Sequence, residues 1–424
     1  SVSADTNLAA DVTTSGTQQY DGAVTLSADV ILTITNNNAT FGSTIDSDST
    51  ARDLTLTLGS GSASVTGIVG TTALDVLTLN SSSSFTAAVT AASIVNAASK
   101  TATFSDAVTA NITNSGTLLF DTSADKSVTG TIAEPGVGAA GTEIKVIDSA
   151  DGAPATVTFT ATVAADTLTV GTTSKAGAAL FEDDVTVPAI NITGGDVAAE
   201  DSTVTFNTAV TATTIVLNDQ TGDAKMVFAT ETDSIIAGTI RGHADDEGTI
   251  QVTGATKTFS GTIGASIAET GYALTLIDID GTSIFDTAVS ATNIDNDGTA
   301  TFKSDVTAAT ANDDTLTLTP NGNNNITHTG AITGSGTLNA VEADDGAINS
   351  VTFSTDVTAG TFNVGSTTKS GVVILNGDTT VTNLNIYGGD ANAEDSTVTV
   401  NGDLDTTTTT LDDGTNSAVT KIIF

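Results

Sequence analysis

The chain is 424 residues long, carries 50 acidic against 11 basic residues for a formal charge of −39 at pH 7, and has no Cys and no Trp. It lacks the clustered Lys and Arg that grip nucleic acid, and the absence of Cys excludes a disulfide scaffold, a thiolate metal site and a Cys nucleophile. A hydrophobic fraction of 39% with only 14% charged residues argues against disorder, and no apolar run approaches the ~18 residues of a membrane span.

The chain opens Ser1-Val2-Ser3-Ala4 without a charged n-region or apolar h-region, so a signal peptide is expected to have been removed already. Acidic, Lys-poor and Cys-free composition points to an extracellular or cell-surface protein. From Tyr20 onward one unit recurs: a large residue followed four positions later by Val or Ile, with Phe228/Thr232, Leu375/Thr379 and Val400/Leu404 as weaker members. It runs through Tyr20/Val24, Phe41/Ile45, Val65/Val69, Phe85/Val89, Phe104/Val108 and Val128/Ile132. It continues through Phe159/Val163, Phe181/Val185, Phe206/Val210, Phe228/Thr232, Phe259/Ile263 and Phe285/Val289. The last are Phe302/Val306, His328/Ile332, Phe353/Val357, Leu375/Thr379 and Val400/Leu404.

Period-2 strands put residues i and i+4 on one side, and the residues between (Ser-Asp, Thr-Ala, Asp-Gly) are turn formers. Each unit therefore reads as a strand ending inward, a tight bend, and a strand beginning inward. The flanks alternate, as in Leu54-Thr-Leu-Thr-Leu58, and Gly, Asn and Asp clusters separate them. The expected fold is all-β: a parallel β-solenoid (β-helix) of about 17 coils, roughly 24 residues per coil, as one continuous repeat domain over 1–424. An isolated coil cannot bury its inward face, and stacking at ~4.8 Å does so while closing the backbone ladders. Tandem β-sandwich domains are the alternative. The best argument for them is an ungapped internal duplication, 157–207 against 351–401.

The duplicated turns Gly194-Gly-Asp196-Val-Ala-Ala-Glu200-Asp201 and Gly388-Gly-Asp390-Ala-Asn-Ala-Glu394-Asp395 offer carboxylates in flexible backbone, as Ca²⁺ requires. Asp196, Glu200, Asp201, Asp390, Glu394 and Asp395 are thus candidate calcium ligands, against the plainer reading of solvated turns copied with their module. No other cofactor is indicated. Enzymatic chemistry is not expected. The carboxylates follow the repeat, so no acid/base pair stands apart. Arg52 and Arg241 are the only arginines, and His243 and His328 lie in no nucleophile motif. Thr-x-Thr strings (Thr55/Thr57, Thr397/Thr399, Thr406–Thr410) suggest a hydroxyl lattice, but corner spacing varies from 17 to 31 residues, which argues against a regular one.

The segments FSDAVTA (Phe104–Ala110), FSTDVTAGTFNVGSTTK (Phe353–Lys369) and GGDxxAEDSTVT (from Gly194 and Gly388) resemble the β-strand-repeat surface proteins of bacteria: S-layer-like proteins, large adhesins and autotransporter passengers. The resemblance covers nearly the whole chain and implies an exported structural protein. The expected function is a non-enzymatic subunit of a filament, sheath or S-layer that assembles with itself by end-to-end strand stacking. An adhesin or stalk presenting a surface to cell-surface glycans is the alternative. Assembly is expected to use Val2, Leu8 and Val12 at one end and Ile422, Ile423 and Phe424 at the other. The corner phenylalanines Phe85, Phe104, Phe159, Phe206, Phe285, Phe302 and Phe353 are assigned to the core. The chain stops at Phe424 in what reads as mid-coil, so a further segment is expected beyond it.

Overall fold

The computed structural model describes residues 1–135, 141–150, 152–229, 233–264, 272–320, 324–343, 349–390, 395–413 and 418–424. The chain divides into two compact units. The first holds Ser1–Ile215 with Asp219–Ala224, and the second holds Val216–Asn218 with Lys225–Phe424. Each is all-β and built of stacked coils, about 18 turns in total. The paired strands within each unit run parallel, as in Thr101–Phe104 on Thr117–Asp121 in the first and Thr299–Phe302 on Thr315–Leu318 in the second. Tandem sandwiches, which need antiparallel hairpins, are thereby ruled out. The antiparallel Thr172↔Lys175 bridge closes a small excursion from the first unit.

A coil has three short faces. In the coil starting at Thr101, Thr101–Phe104 forms one face, and the longer strand Val108–Asn114 bends to form the other two. The next coil shows that bend plainly. Val108 pairs with Val128 on Lys126–Thr129, and Ile112 pairs with Ile132 on the separate strand Ile132–Ala133. Alternation does the rest: Ala102 and Phe104 are buried while Thr101 and Thr103 face outward.

The corner residues named from the sequence do not form a single column. Phe104 stacks on Phe120, a residue outside the repeating unit, whereas Val128 lies under Val108 and leads to Phe159, Phe181 and Phe206. In the second unit Phe259, Phe285 and Phe302 continue to Leu318, while His328 joins Val306 to Phe353. The three bends of a coil are chemically alike, so the Phe/Val motif moves from one bend to another along the chain. Coil length varies accordingly, from 16 residues between Asn296 and Asn312 to 31 between Val128 and Phe159.

Stacking at one coil rise aligns the rings. Phe159 and Phe181 are 4.8 Å apart at 7°, and Phe285 and Phe302 are 4.6 Å apart at 6°. Each unit also carries a buried amide step at one bend. Asn96 donates its Nδ2–H to Asn114 Oδ1 (2.9 Å), and Asn296 donates to Asn312 Oδ1 (2.7 Å). These amides satisfy turn carbonyls that would otherwise be stranded: Asn114 reaches Gly116 O and Asn312 reaches Thr337 O.

Candidate functional site

The acidic turns hold mixed roles. Asp196 is exposed, but Glu200 is only 1% exposed. One Glu200 oxygen accepts the Asp196 N–H at 3.2 Å, and the other lies 3.6 Å from Lys175 Nζ. Asp201 accepts the Asp223 N–H at 3.0 Å. In the duplicate turn Asp390 is exposed and Asp395 accepts the Val419 N–H at 2.8 Å; Glu394 lies outside the described residues. Among the described residues no group of three or more His, Asp or Glu is arranged to hold a metal ion.

The duplicated module builds a clip instead. Ser202 Oγ donates to Thr193 O and accepts the Gly177 N–H; Ser396 Oγ donates to Tyr387 O and accepts the Gly371 N–H. Each serine pins a side loop that leaves and re-enters its coil at glycine. Gly171 and Gly365 have φ of +73° and +72°, and a Cβ on Gly171 would sit 2.1 Å from Thr193 O, so both tolerate only Gly. Lys175 on the first loop reaches back to Glu200. Lys175→Met should therefore leave a buried carboxylate uncompensated. The expected loss is about 1–3 kcal/mol at pH 7, read from the urea midpoint. An unchanged midpoint would remove the ion pair from this account.

The acidic side chains elsewhere have a shared task. A carboxylate at a bend accepts a backbone N–H from the next coil: Asp29 from Asp53, then Asp53 from Val76, and in the second unit Asp356 from Asp378, then Asp378 from Asp403. Such clamps explain much of the acidity without invoking a substrate. Where carboxylates crowd, the effect reverses. Asp278 and Asp295 pair in register, with Asp280, Asp297 and Asp313 nearby. Desolvation first, then these neighbouring charges, hold both groups above the usual carboxylate range. A raised folded pKa means that the fold gains stability as pH falls through it. Asp295→Asn should thus raise the urea midpoint slightly at pH 7, by less than about 1 kcal/mol, with the advantage gone at pH 3. A lower midpoint at pH 7 would contradict the repulsion.

The remaining ionisable candidates have separate surroundings. His243 is exposed. Arg241 lies over the Tyr272 ring at 4.7 Å, and Arg52 grips both oxygens of Asp48. His328 is 1% exposed, between Val306 and Phe353. Lys257, which the sequence pattern did not single out as buried, is fully inside the second unit in register with Ser234 and Ser283. Burial pulls its ammonium below the ordinary lysine range, against the opposing charge of Asp233.

The assembly residues divide similarly. Leu8 is 8% exposed and belongs to the first coil's core, Val12 and Ile422 are half-buried, and Val2, Ile423 and Phe424 are exposed.

One surface contradicts the sequence expectation. In the second unit two outward rows of uncharged side chains keep unbroken register. The first runs Thr299, Thr315, Thr337, Thr361, Asn383, Thr408, and the second Thr301, Thr317, Asn339, Asn363, Asn385, Thr410. Successive coils here take 22, 24 and 22 residues, yet the rows stay aligned. Irregular spacing therefore does not prevent a regular array. Asn385 donates to Asn363 Oδ1 and Asn363 to Asn339 Oδ1, both at 2.9 Å. A face of the first unit is interrupted by charge: Thr117 pairs with Glu143 and Leu119 with Lys145. No helix among the described residues is long and apolar enough to cross a membrane. No family model, curated protein or solved structure matches the chain.

Proposed function

We propose that the chain is a non-enzymatic structural subunit of an extracellular or cell-surface assembly, growing by end-to-end stacking of coils. The supporting observation is the ladder itself: coils close by parallel strand pairing, a geometry that a coil of one chain can offer a coil of another. The nine-residue strand Leu404–Asp412 pairs along one edge with Thr379–Tyr387, and Thr420–Ile423 pairs along one edge with Ser396–Val400. Leu411, Ile423 and Phe424 beside them are 51%, 44% and 86% exposed. An open parallel edge is a template for another strand, and a head-to-tail contact that does not close yields a filament. At the other end Thr6–Leu8 and Val12–Thr14 likewise pair along one edge. The jobs held by the carboxylates favour a structural over a catalytic reading, as does the resemblance to bacterial surface repeats. Calcium enters this proposal as a counterion for turn carboxylates.

The test is negative-stain microscopy and light scattering of the full chain at high concentration, with and without calcium. Filaments are expected, shortened in the Leu411→Lys/Ile423→Lys variant. A parent chain that stays monomeric, whether or not it binds a glycan, overturns the proposal.

A further inference from the structure

We propose that the two-row Thr/Asn face of the second unit is a lateral interface, and that its occupant is the same face of a second copy. The inference deepens the reading of the chain as a self-assembling subunit and rests on it. Charge supplies the first argument. A molecule of net charge −39 resists approach by its own kind, and the twelve positions of this face carry no ionisable side chain. The comparable first-unit face presents Glu143 and Lys145 among its threonines. Geometry supplies the second. The rows repeat at the coil rise of ~4.8 Å, and facing sheets pack ~10 Å apart, so rows of two copies related by a two-fold axis interdigitate at a common period. Asn ladders and small polar side chains are the chemistry of dry sheet-to-sheet contacts. The amides already give one N–H to the preceding coil, as Asn363 does to Asn339, and retain a second donor.

Area decides how the contact behaves. Six coils at ~4.8 Å by three or four residues at ~3.3 Å make roughly 300 Å² per copy. A stable free dimer buries about 800 Å² per partner. The face therefore holds weakly between isolated chains. It becomes lasting where end-to-end neighbours repeat it, through the high effective concentration of linked sites.

The experiment measures filament width by electron microscopy for the parent, for Thr337→Lys/Thr361→Lys, and for Thr103→Lys/Thr167→Lys as a first-unit control with the same added charge. Circular dichroism establishes that each is folded. Parent and control filaments are expected to be paired, more so at higher salt as the flanking carboxylates are screened. The Thr337/Thr361 variant is expected to give filaments one chain wide. Single-width parent filaments overturn the lateral interface and leave end-to-end growth standing, a result that needs no variant. A Thr337/Thr361 variant that still pairs overturns it as well. A parent that is monomeric throughout, including one retained on an insoluble polysaccharide, overturns both.

Discussion

Phe285→Ala is expected to lower the stability of the chain by about 3–5 kcal/mol, the largest effect of any single truncation considered. Phe285 is 1% exposed. Its ring lies 4.9 Å from Phe259 at 7° and 4.6 Å from Phe302 at 6°, so it is covered on both faces by rings one coil away. The neighbours cannot collapse into the vacancy, because each is held at the coil rise by its own backbone ladder. The truncation therefore forfeits both the transfer free energy and the stacking contacts. In a structure whose coils touch only their neighbours, the damage is local, but it severs the coupling between the coils on either side. Urea titration of the full chain measures it. Phe424→Ala, which removes a side chain that is 86% exposed, should stay within about 0.5 kcal/mol of the parent. A loss below about 1 kcal/mol for Phe285→Ala would mean that the column is not the core it is taken for.

The second large effect is one of pH. His328 sits in an apolar column with its Nδ1 3.1 Å from Gly330 O and its Nε2 3.1 Å from Thr310 Oγ1. A carbonyl can only accept, so Nδ1 carries the proton and Nε2 accepts from the threonine hydroxyl: the pattern of a neutral imidazole. Burial, only partly offset by the Gly330 hydrogen bond, brings its pKa down to about 4. The unfolded chain takes up this proton near pH 6.5, whereas the folded chain does not until about 4. Stability conferred by the neutral ring is thus complete above pH ~6.5 and is lost as pH falls toward 4, by about 3 kcal/mol in all. His328→Leu should flatten that part of the profile. Asp278 and Asp295 titrate in the opposite sense in the same unit. The informative quantity is therefore the difference between parent and variant. Parallel profiles between pH 6.5 and 4 would show that His328 meets water after all.

The all-β, parallel, coil-stacked character was legible in the amino-acid order because it rests on local rules. Alternation in Thr101-Ala-Thr-Phe104 dictates which side is buried, Ser-Asp-Ala between Phe104 and Val108 dictates a bend, and neither depends on distant residues. The corner phenylalanines follow from the same rules. The buried position of Lys257 escaped notice because an inward lysine breaks the pattern that identifies inward positions. The Ser202 and Ser396 clips were visible only as part of a duplicated string, since their partners Gly177 and Gly371 lie 25 residues away in sequence.

What the chain order alone determined, then, is the coil: strand, bend, strand, with a dry side and a wet side, set by residues within a few positions of one another. What the tertiary structure alone decided is which coil residues meet their neighbours. Phe104 meets Phe120 and not Val128, and Thr361 meets Thr337 and Asn383. The physical reason is that three similar bends compete for each corner motif, and that insertions such as the excursion closed by Thr172 and Lys175 leave the coil between faces while the backbone ladders on the faces hold register. Hydrogen-bonded faces lose many ladder bonds if they slip by one residue, whereas loops lengthen at little entropic expense, so the variation in spacing is confined to the turns and the outward rows remain straight.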